Sequence, residues 1–402
     1  MGKATAAVLA VCYLTLGAAN WNDYQTEARP AFDALVGGHL HGFLQLAPGY
    51  AGSLLIRAPF VLLAHALGAD EQWLFRASAI PCLVSAAALG VWLAAEMRRR
   101  GAGRLAQALV ILLCAANPLT VQAVRWGHPE EVLGAALVVA AVLCALRDRP
   151  TWAGLLLGLA IANKQWAVVA VGPVLVALPR RRLTPMLWAG AVAAAVLLPF
   201  VLGAGGGLAH GVASGATATD TIFQRWQVWW FFGPPKHIPG FHGHLYVSAR
   251  TGPAWLSGIT HPLIAAMAAP LSALYVLRRR GRARGRTSDP LLLLALLMLL
   301  RCLLDPWDFV YYPLPFLLAL LAWEVENFDR PPVASMTATA VAWLLMYETA
   351  MPILGIPQDV QSAMFLVAAV SAALIIGVTL YAPAAGRRLV SRPHREAVPV
   401  TA

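Results

Sequence analysis

Apolar runs of membrane-spanning length recur along this chain from end to end, separated by short polar or charged breaks. The pattern predicts spans near 4–19, 73–96, 105–122, 131–146, 151–163, 166–178, 183–203, 259–277, 288–304, 311–325, 333–351 and 360–381. Several are shorter than the roughly 20 residues of a full crossing. The stretch 151–178 reads either as two short crossings around Asn163-Lys164-Gln165 or as one long helix with a polar middle. The stretch 52–67 is apolar but short, and Arg57 and Pro59 interrupt it. Such a segment is expected to be interfacial or re-entrant. Residues 22–46 carry Glu27, Phe32, Leu35 and Val36 at roughly helical spacing and read as a helix lying along the membrane surface. The segment 4–19 follows Lys3 like a signal peptide, but the many later spans favour a retained first span.

The charges test this layout. Arginines cluster at 98–100 with Arg104, at Arg147 and Arg149, at 180–182, at 278–286 and in the tail at Arg387, Arg388, Arg392 and Arg395. If all are cytoplasmic, the alternation requires that 52–67 does not cross and that 151–178 crosses twice. The expectation is then about twelve spans with both termini inside. The organisation is one transmembrane domain over 1–382, with a first outer loop at 20–72, a long outer loop at 204–258, and a basic cytoplasmic tail at 383–402. The loop segment 219–257 is too rich in Trp, Pro, Gly and His for a disordered tether.

Composition supports the membrane reading. The chain has 402 residues, 59% hydrophobic and 12% charged, and a soluble domain carries about twice that charged fraction. Its net charge of +11 sits in bursts between apolar runs, as topology signals do, which excludes nucleic acid as the expected partner. The five cysteines lie in or beside apolar runs without CxxC spacing and read as small apolar helix residues.

The outer loops hold the candidate chemistry. Asp23 follows the first span and Glu27 is four residues on, so both carboxylates can share a helical face. A carboxylate at a membrane boundary is partly desolvated, which suits a base; the plainer role is an N-cap. In Gly127-His128-Pro129-Glu130-Glu131, the helix dipole accounts for Glu130 or Glu131 but not for His128 and Arg125 beside them. Lys164 between two apolar runs needs a partner, a ligand or a route to the surface; an anionic lipid phosphate would suit it. Asp305 and Asp308 lie among Trp307, Phe309, Tyr311 and Tyr312, the mixture of carboxylates and aromatic faces that a carbohydrate site uses. His237, His242 and His244, with Tyr246 and Arg250, read first as loop structure and next as substrate or phosphate contacts, ahead of a metal site, since no known ligand spacing is matched. There is no P-loop and no dinucleotide fingerprint, so ATP-driven transport and nucleotide chemistry lack support.

A resemblance ties these residues together. A first span is followed by an acidic residue, an interfacial stretch, then Pro48-Gly49-Tyr50 leading into Leu54-Leu55-Ile56-Arg57-Ala58-Pro59-Phe60. A helix follows from Trp73-Leu74-Phe75-Arg76-Ala77-Ser78 to Arg98-Arg99-Arg100, and later Gly154-Leu155-Leu156-Leu157-Gly158-Leu159-Ala160 precedes Lys164. This order resembles the GT-C superfamily of membrane glycosyltransferases over nearly the whole chain, and most of all glycosyltransferase family 87, the polyprenyl-phosphate-mannose-dependent mannosyltransferases. The resemblance implies an all-α, GT-C-like bundle that transfers a sugar, mannose by family, from a polyprenyl-phosphate carrier to a lipid or glycan acceptor. Inversion would be driven by Asp23 as general base on the outer face of the plasma membrane. Lys164 matches the basic residue expected near the lipid phosphate. Glu27, Arg57, His128, Glu130, Glu131, His242, His244, Arg250, Asp305 and Asp308 are the expected substrate contacts. A monomer without metal or organic cofactor is expected, in contact with membrane lipids. The alternative is a multi-pass transporter or flippase of lipid-linked sugars, which would place its charges mid-membrane on broken helices.

Overall fold

The computed structural model describes residues 10–11, 13–15, 23–178, 180–203, 225–239, 246–252, 254–279, 287–346 and 354–382. Six helices in this set are long and apolar enough to cross a membrane: Glu71–Arg99, Arg104–Arg125, Pro129–Leu146, Leu183–Gly203, Gly258–Arg278 and Gln358–Tyr381. Each coincides with a span read from the sequence. Pro150–Asn163, Gln165–Ala177 and Val333–Met346 are shorter apolar helices. Asp289–Leu304 and Leu314–Asn327 are 16 and 14 residues long. Among the described residues six helices are thus long and apolar enough to cross, the expectation of about twelve goes beyond that number, and the expected span 4–19 lies mostly outside the described residues.

The helix boundaries have local causes. Asp70 caps the first long helix by accepting from the Trp73 backbone N–H at 2.9 Å, and Arg98 and Arg99 close its last turn. The Arg104–Arg125 span is broken after Ala115: Asn117 accepts from the Leu119 N–H at 2.9 Å, and Pro118 takes the first position of its second piece, Pro118–Arg125. The stretch 151–178 is not one helix. It ends at Asn163, passes through an extended Lys164 (φ −151°, ψ 129°), and resumes as a 3-10 segment, Gln165–Ala170, and the helix Val171–Ala177.

The Pro129–Leu146 helix is the axis of the protein. It packs against Glu71–Arg99, Pro150–Asn163, Leu314–Asn327 and Asp289–Leu304, and the last two are themselves almost wholly buried. Leu183–Gly203 and Gln358–Tyr381 lie outside, with only 11% and 22% of their apolar windows buried. Helices apolar all round but bare on the outside are at home in lipid. Leu183–Gly203 seats on Pro150–Asn163 through Gly154 and Gly158, where an added Cβ would stand 2.6 Å from the Pro185 and Ala189 carbonyl oxygens. Small residues spaced this way let membrane helices approach closely.

The first outer loop differs from a single surface helix. It is a π-helical turn, Tyr24–Ala28, then Arg29–Val36 and Leu40–Leu46, broken at Gly37-Gly38, where Gly38 takes φ +78°. The stretch 52–67 forms one helix, Ala51–Ala66, of about 24 Å by its rise. Ala51, Leu54, Arg57, Ala58 and Val61 turn inward while Leu62 and Leu63 stay exposed. A two-stranded antiparallel ribbon pairs Pro235–Pro239 with Tyr246–Arg250.

The two ends of the bundle carry different charges. At one end Arg147 Nη2 holds Glu96 at 3.1 Å and Glu326 at 2.8 Å, Arg100 holds Glu326 at 3.0 Å, and Arg99 pairs with Glu96. This network ties together the ends of three helices. The far end of the 18-residue Pro129–Leu146 helix, about 27 Å away, opens on His128, Glu130 and Glu131.

Candidate active site

Gly127 brings two distant segments into contact. It takes φ +93°, and a Cβ there would stand 2.5 Å from the Tyr24 backbone nitrogen. The turn that follows Asp23 is thereby laid against the start of the Pro129–Leu146 helix. His128 Nε2 lies 3.1 Å from Asp23 Oδ2, and its Nδ1 lies 2.7 Å from Glu130 Oε1. Asp23 caps nothing with its side chain, so the plainer N-cap role fails. Its side chain is 30% exposed, whereas Glu130 is wholly buried.

Glu130 sits where a helix dipole favours an acid, but a buried carboxylate needs closer partners. Arg57 Nη1 donates to Glu130 Oε2 at 3.2 Å, and both side chains are fully buried. Arg57 also donates through Nε to the Ser78 carbonyl at 3.1 Å and through Nη2 to the Ser78 hydroxyl at 2.9 Å. Lys164 Nζ lies 3.3 Å from Glu130 Oε1 and 3.2 Å from Glu131 Oε1. The Asn163 amide donates to the Glu130 carbonyl at 2.8 Å. Burial pulls the His128 imidazole down, but the Glu130 charge and the hydrogen bonds to Asp23 and Glu130 outweigh it and raise the pKa to about 10. Burial also opposes the Lys164 ammonium, yet Glu131 and Glu130 hold its pKa above the usual lysine value.

A second arc closes around Lys164. Its Nζ lies 4.4 Å from the centre of the Tyr50 ring, and the Tyr50 hydroxyl donates to Glu27 Oε2 at 2.7 Å. The Gln165 amide donates to the Gly49 carbonyl. The Trp166 indole N–H donates to Glu131 Oε2 at 3.1 Å. Arg301 reaches the same carboxylate, with Nη2 4.0 Å from Glu131 Oε1, and lies 4.8 Å from the Trp166 ring and 4.4 Å from the Tyr312 ring.

The two aspartates after the Asp289–Leu304 helix part company. Burial works against the Asp305 carboxylate, but the ion pair with His261, 3.6 Å away, and the charge of Arg301 hold its pKa below the usual value; its Oδ1 also accepts from the Trp307 N–H at 3.0 Å. Asp308 is wholly buried, and neither carboxyl oxygen has a hydrogen-bond partner among the described residues. Burial and the neighbouring Asp305 charge push its pKa well above the ordinary carboxylate value. Beside it the Phe309 and Tyr311 rings stack at 5.8 Å, and Tyr311 lies 5.4 Å from His128.

Direct contacts thus bring Asp23, Arg57, His128, Glu130, Glu131 and Lys164 into one cluster, with Glu27 joined through Tyr50. Asp305 and Asp308 border it beside Arg301. Arg250 is engaged elsewhere: it pairs with Asp359 at 2.8 Å and donates to the Gly233 carbonyl at 3.0 Å. His242 and His244 lie outside the described residues. Among the described residues no group of three or more His, Cys, Asp or Glu is placed to hold a metal ion. Sequence reasoning missed Tyr50, Ser78, Asn163, Trp166 and Arg301. Arg301 did carry a signal, an arginine inside an otherwise apolar helix.

The profile of glycosyltransferase family 87 matches residues 51–306, well over half of the chain and a region holding every member of this cluster except Asp23, Glu27, Tyr50, Asp308 and the aromatic residues that follow it. No curated protein matches the sequence. The chain belongs to glycosyltransferase family 87, a membrane glycosyltransferase of GT-C type.

Proposed function

We propose that this glycosyltransferase transfers mannose from a polyprenyl-phosphate carrier to a hydroxyl of a lipid or cell-envelope glycan, with inversion and with Asp23 as general base. The observation that carries this reading is the contact of a partly exposed Asp23 with the buried His128–Glu130 pair, in one network with Lys164. The acceptor oxygen attacks the anomeric carbon, the bond from that carbon to the phosphate oxygen breaks, and the acceptor proton passes to Asp23. Lys164 offsets charge on the departing lipid phosphate, with inversion following from in-line displacement.

The same reading places the site on the outer face of the plasma membrane, opposite the Glu96–Arg147–Glu326 network. It keeps about twelve crossings with both termini cytoplasmic. The protein acts as a monomer among membrane lipids. The test is sugar transfer by wild-type protein in membranes, run across several labelled polyprenyl-phosphate sugars. Transfer from the mannose carrier is expected; transfer from another carrier alone would overturn the choice of sugar, and none at all would overturn the reading.

A further inference from the structure

The buried centre of the cluster leaves one cation weakly matched. Arg57, Lys164 and Arg301 face two buried carboxylates, Glu130 and Glu131. Asp23 and Glu27, at the partly exposed rim, answer His128 and Lys164 rather than Arg301. A buried cation with a weak counter-ion is costly unless an anion joins it.

The weakly matched cation is Arg301. Its side chain is 4% exposed, and among the described residues the one carboxylate within ion-pair distance of it, Glu131, stands at 4.0 Å. Its Nη1 has no hydrogen-bond partner among the described residues. The guanidinium lies against the Trp166 and Tyr312 rings, which shield its flat faces. A guanidinium shielded this way offers its edge, a planar fork of N–H donors matched to two oxygens of an oxyanion.

The two carboxylates differ in how firmly they are held. Glu130 is gripped by Arg57, His128 and Lys164 at 2.7–3.3 Å. Glu131 Oε1 has Lys164 at 3.2 Å and only the distant Arg301, while its Oε2 keeps the Trp166 indole. We infer that Arg301 and Lys164 form a seat for a phosphate-class oxyanion, and that Glu131 is the counter-ion this oxyanion displaces. The inference rests on the lipid-phosphate donor proposed above and adds to it a second cation and an internal competitor. Glu131 Oε1 gives up the two cations to the incoming oxyanion while Oε2 retains the indole N–H, so Trp166 senses the exchange.

Purified full-length protein in nanodiscs is titrated with polyprenyl phosphate, with the same polyprenol lacking phosphate, and with inorganic phosphate. Tryptophan fluorescence is the readout, and Trp166→Phe identifies the responding ring. Polyprenyl phosphate is expected to change the Trp166 signal and polyprenol to leave it. Arg301→Gln weakens binding about tenfold or more, and Arg301→Lys weakens it too, since an ammonium lacks the fork. Glu131→Gln tightens binding, an effect that a merely structural glutamate would not produce. Unchanged affinity in both Arg301 variants, or no tightening in Glu131→Gln, overturns the seat. If Arg301→Gln does not fold, Arg301→Lys and Glu131→Gln decide the matter. Polyprenyl phosphate bound without dependence on Arg301 overturns the seat and spares the donor reading. Inorganic phosphate bound through Arg301 while polyprenyl phosphate is not supports the seat and overturns the lipid donor.

Discussion

Asp23 and His128 are 105 residues apart in the chain, yet their side chains meet at 3.1 Å. The contact joins a partly exposed carboxylate, Asp23, to a buried chain that runs through His128 and Glu130 to Arg57. A base needs both access to substrate and a fixed direction, and this arrangement supplies the two from different segments.

Asp23→Asn keeps the shape and most hydrogen bonds of the side chain but cannot take a proton. Sugar transfer from a labelled polyprenyl-phosphate sugar should fall by about 10²- to 10⁴-fold, with the protein still inserted and monodisperse. Full activity in this variant would sink the base assignment.

His128 gives a pH signature. Its folded pKa of about 10 lies above the ordinary 6.5. The imidazolium therefore contributes its full stability below pH about 6.5 and loses it as pH climbs toward about 10. The difference in thermal midpoint between wild type and His128→Gln should be widest at acidic pH and shrink across that window. A difference that grows with rising pH would contradict the charged state of His128.

Arg57→Met removes one partner of a fully buried ion pair and leaves Glu130 under-compensated. Such a break costs about 3–5 kcal/mol, measurable by equilibrium unfolding in detergent. The exposed Arg29–Asp33 pair is a built-in contrast: Asp33→Asn should leave the unfolding midpoint in place. Equal effects of the two changes would refute the importance given to burial.

Gly127→Ala tests the junction. A left-handed φ of +93° strains any side chain, and the new Cβ would press on the Tyr24 nitrogen. The strain costs about 1–3 kcal/mol, and relief by separating the segments pulls Asp23 from His128. Transfer should drop more steeply than stability, compared by activity and unfolding of the same preparation.

Much of this was legible in the linear sequence. The six long spans are apolar stretches in the sequence, Asp70 and the arginines mark ends of them, and Asn117-Pro118 marks the break inside one. Lys164 announced itself as a lysine between apolar runs, and the structure breaks the helix there. The first outer loop was harder, because helical spacing over 22–46 hides both the π-turn and the break at Gly37-Gly38. Arg301 was passed over because its helix is otherwise so apolar that it reads as an ordinary span.

Hydrophobic periodicity settles which segments leave water, and arginine placement sorts the loops into two sets, because both depend on local composition alone. Which buried charge meets which is a different kind of fact. Arg57 and Glu130 are 73 residues apart, and Glu130 and Asn163 are 33 apart. Their meeting depends on the azimuth and axial shift of packed helices, set by close contacts at Gly52, Gly127, Gly154 and Gly158. A shift of one residue turns a helical side chain by about 100°, so no local pattern encodes these pairings. Only the tertiary structure decided that Asp23 would face His128, and that Lys164 and Arg301 would share Glu131.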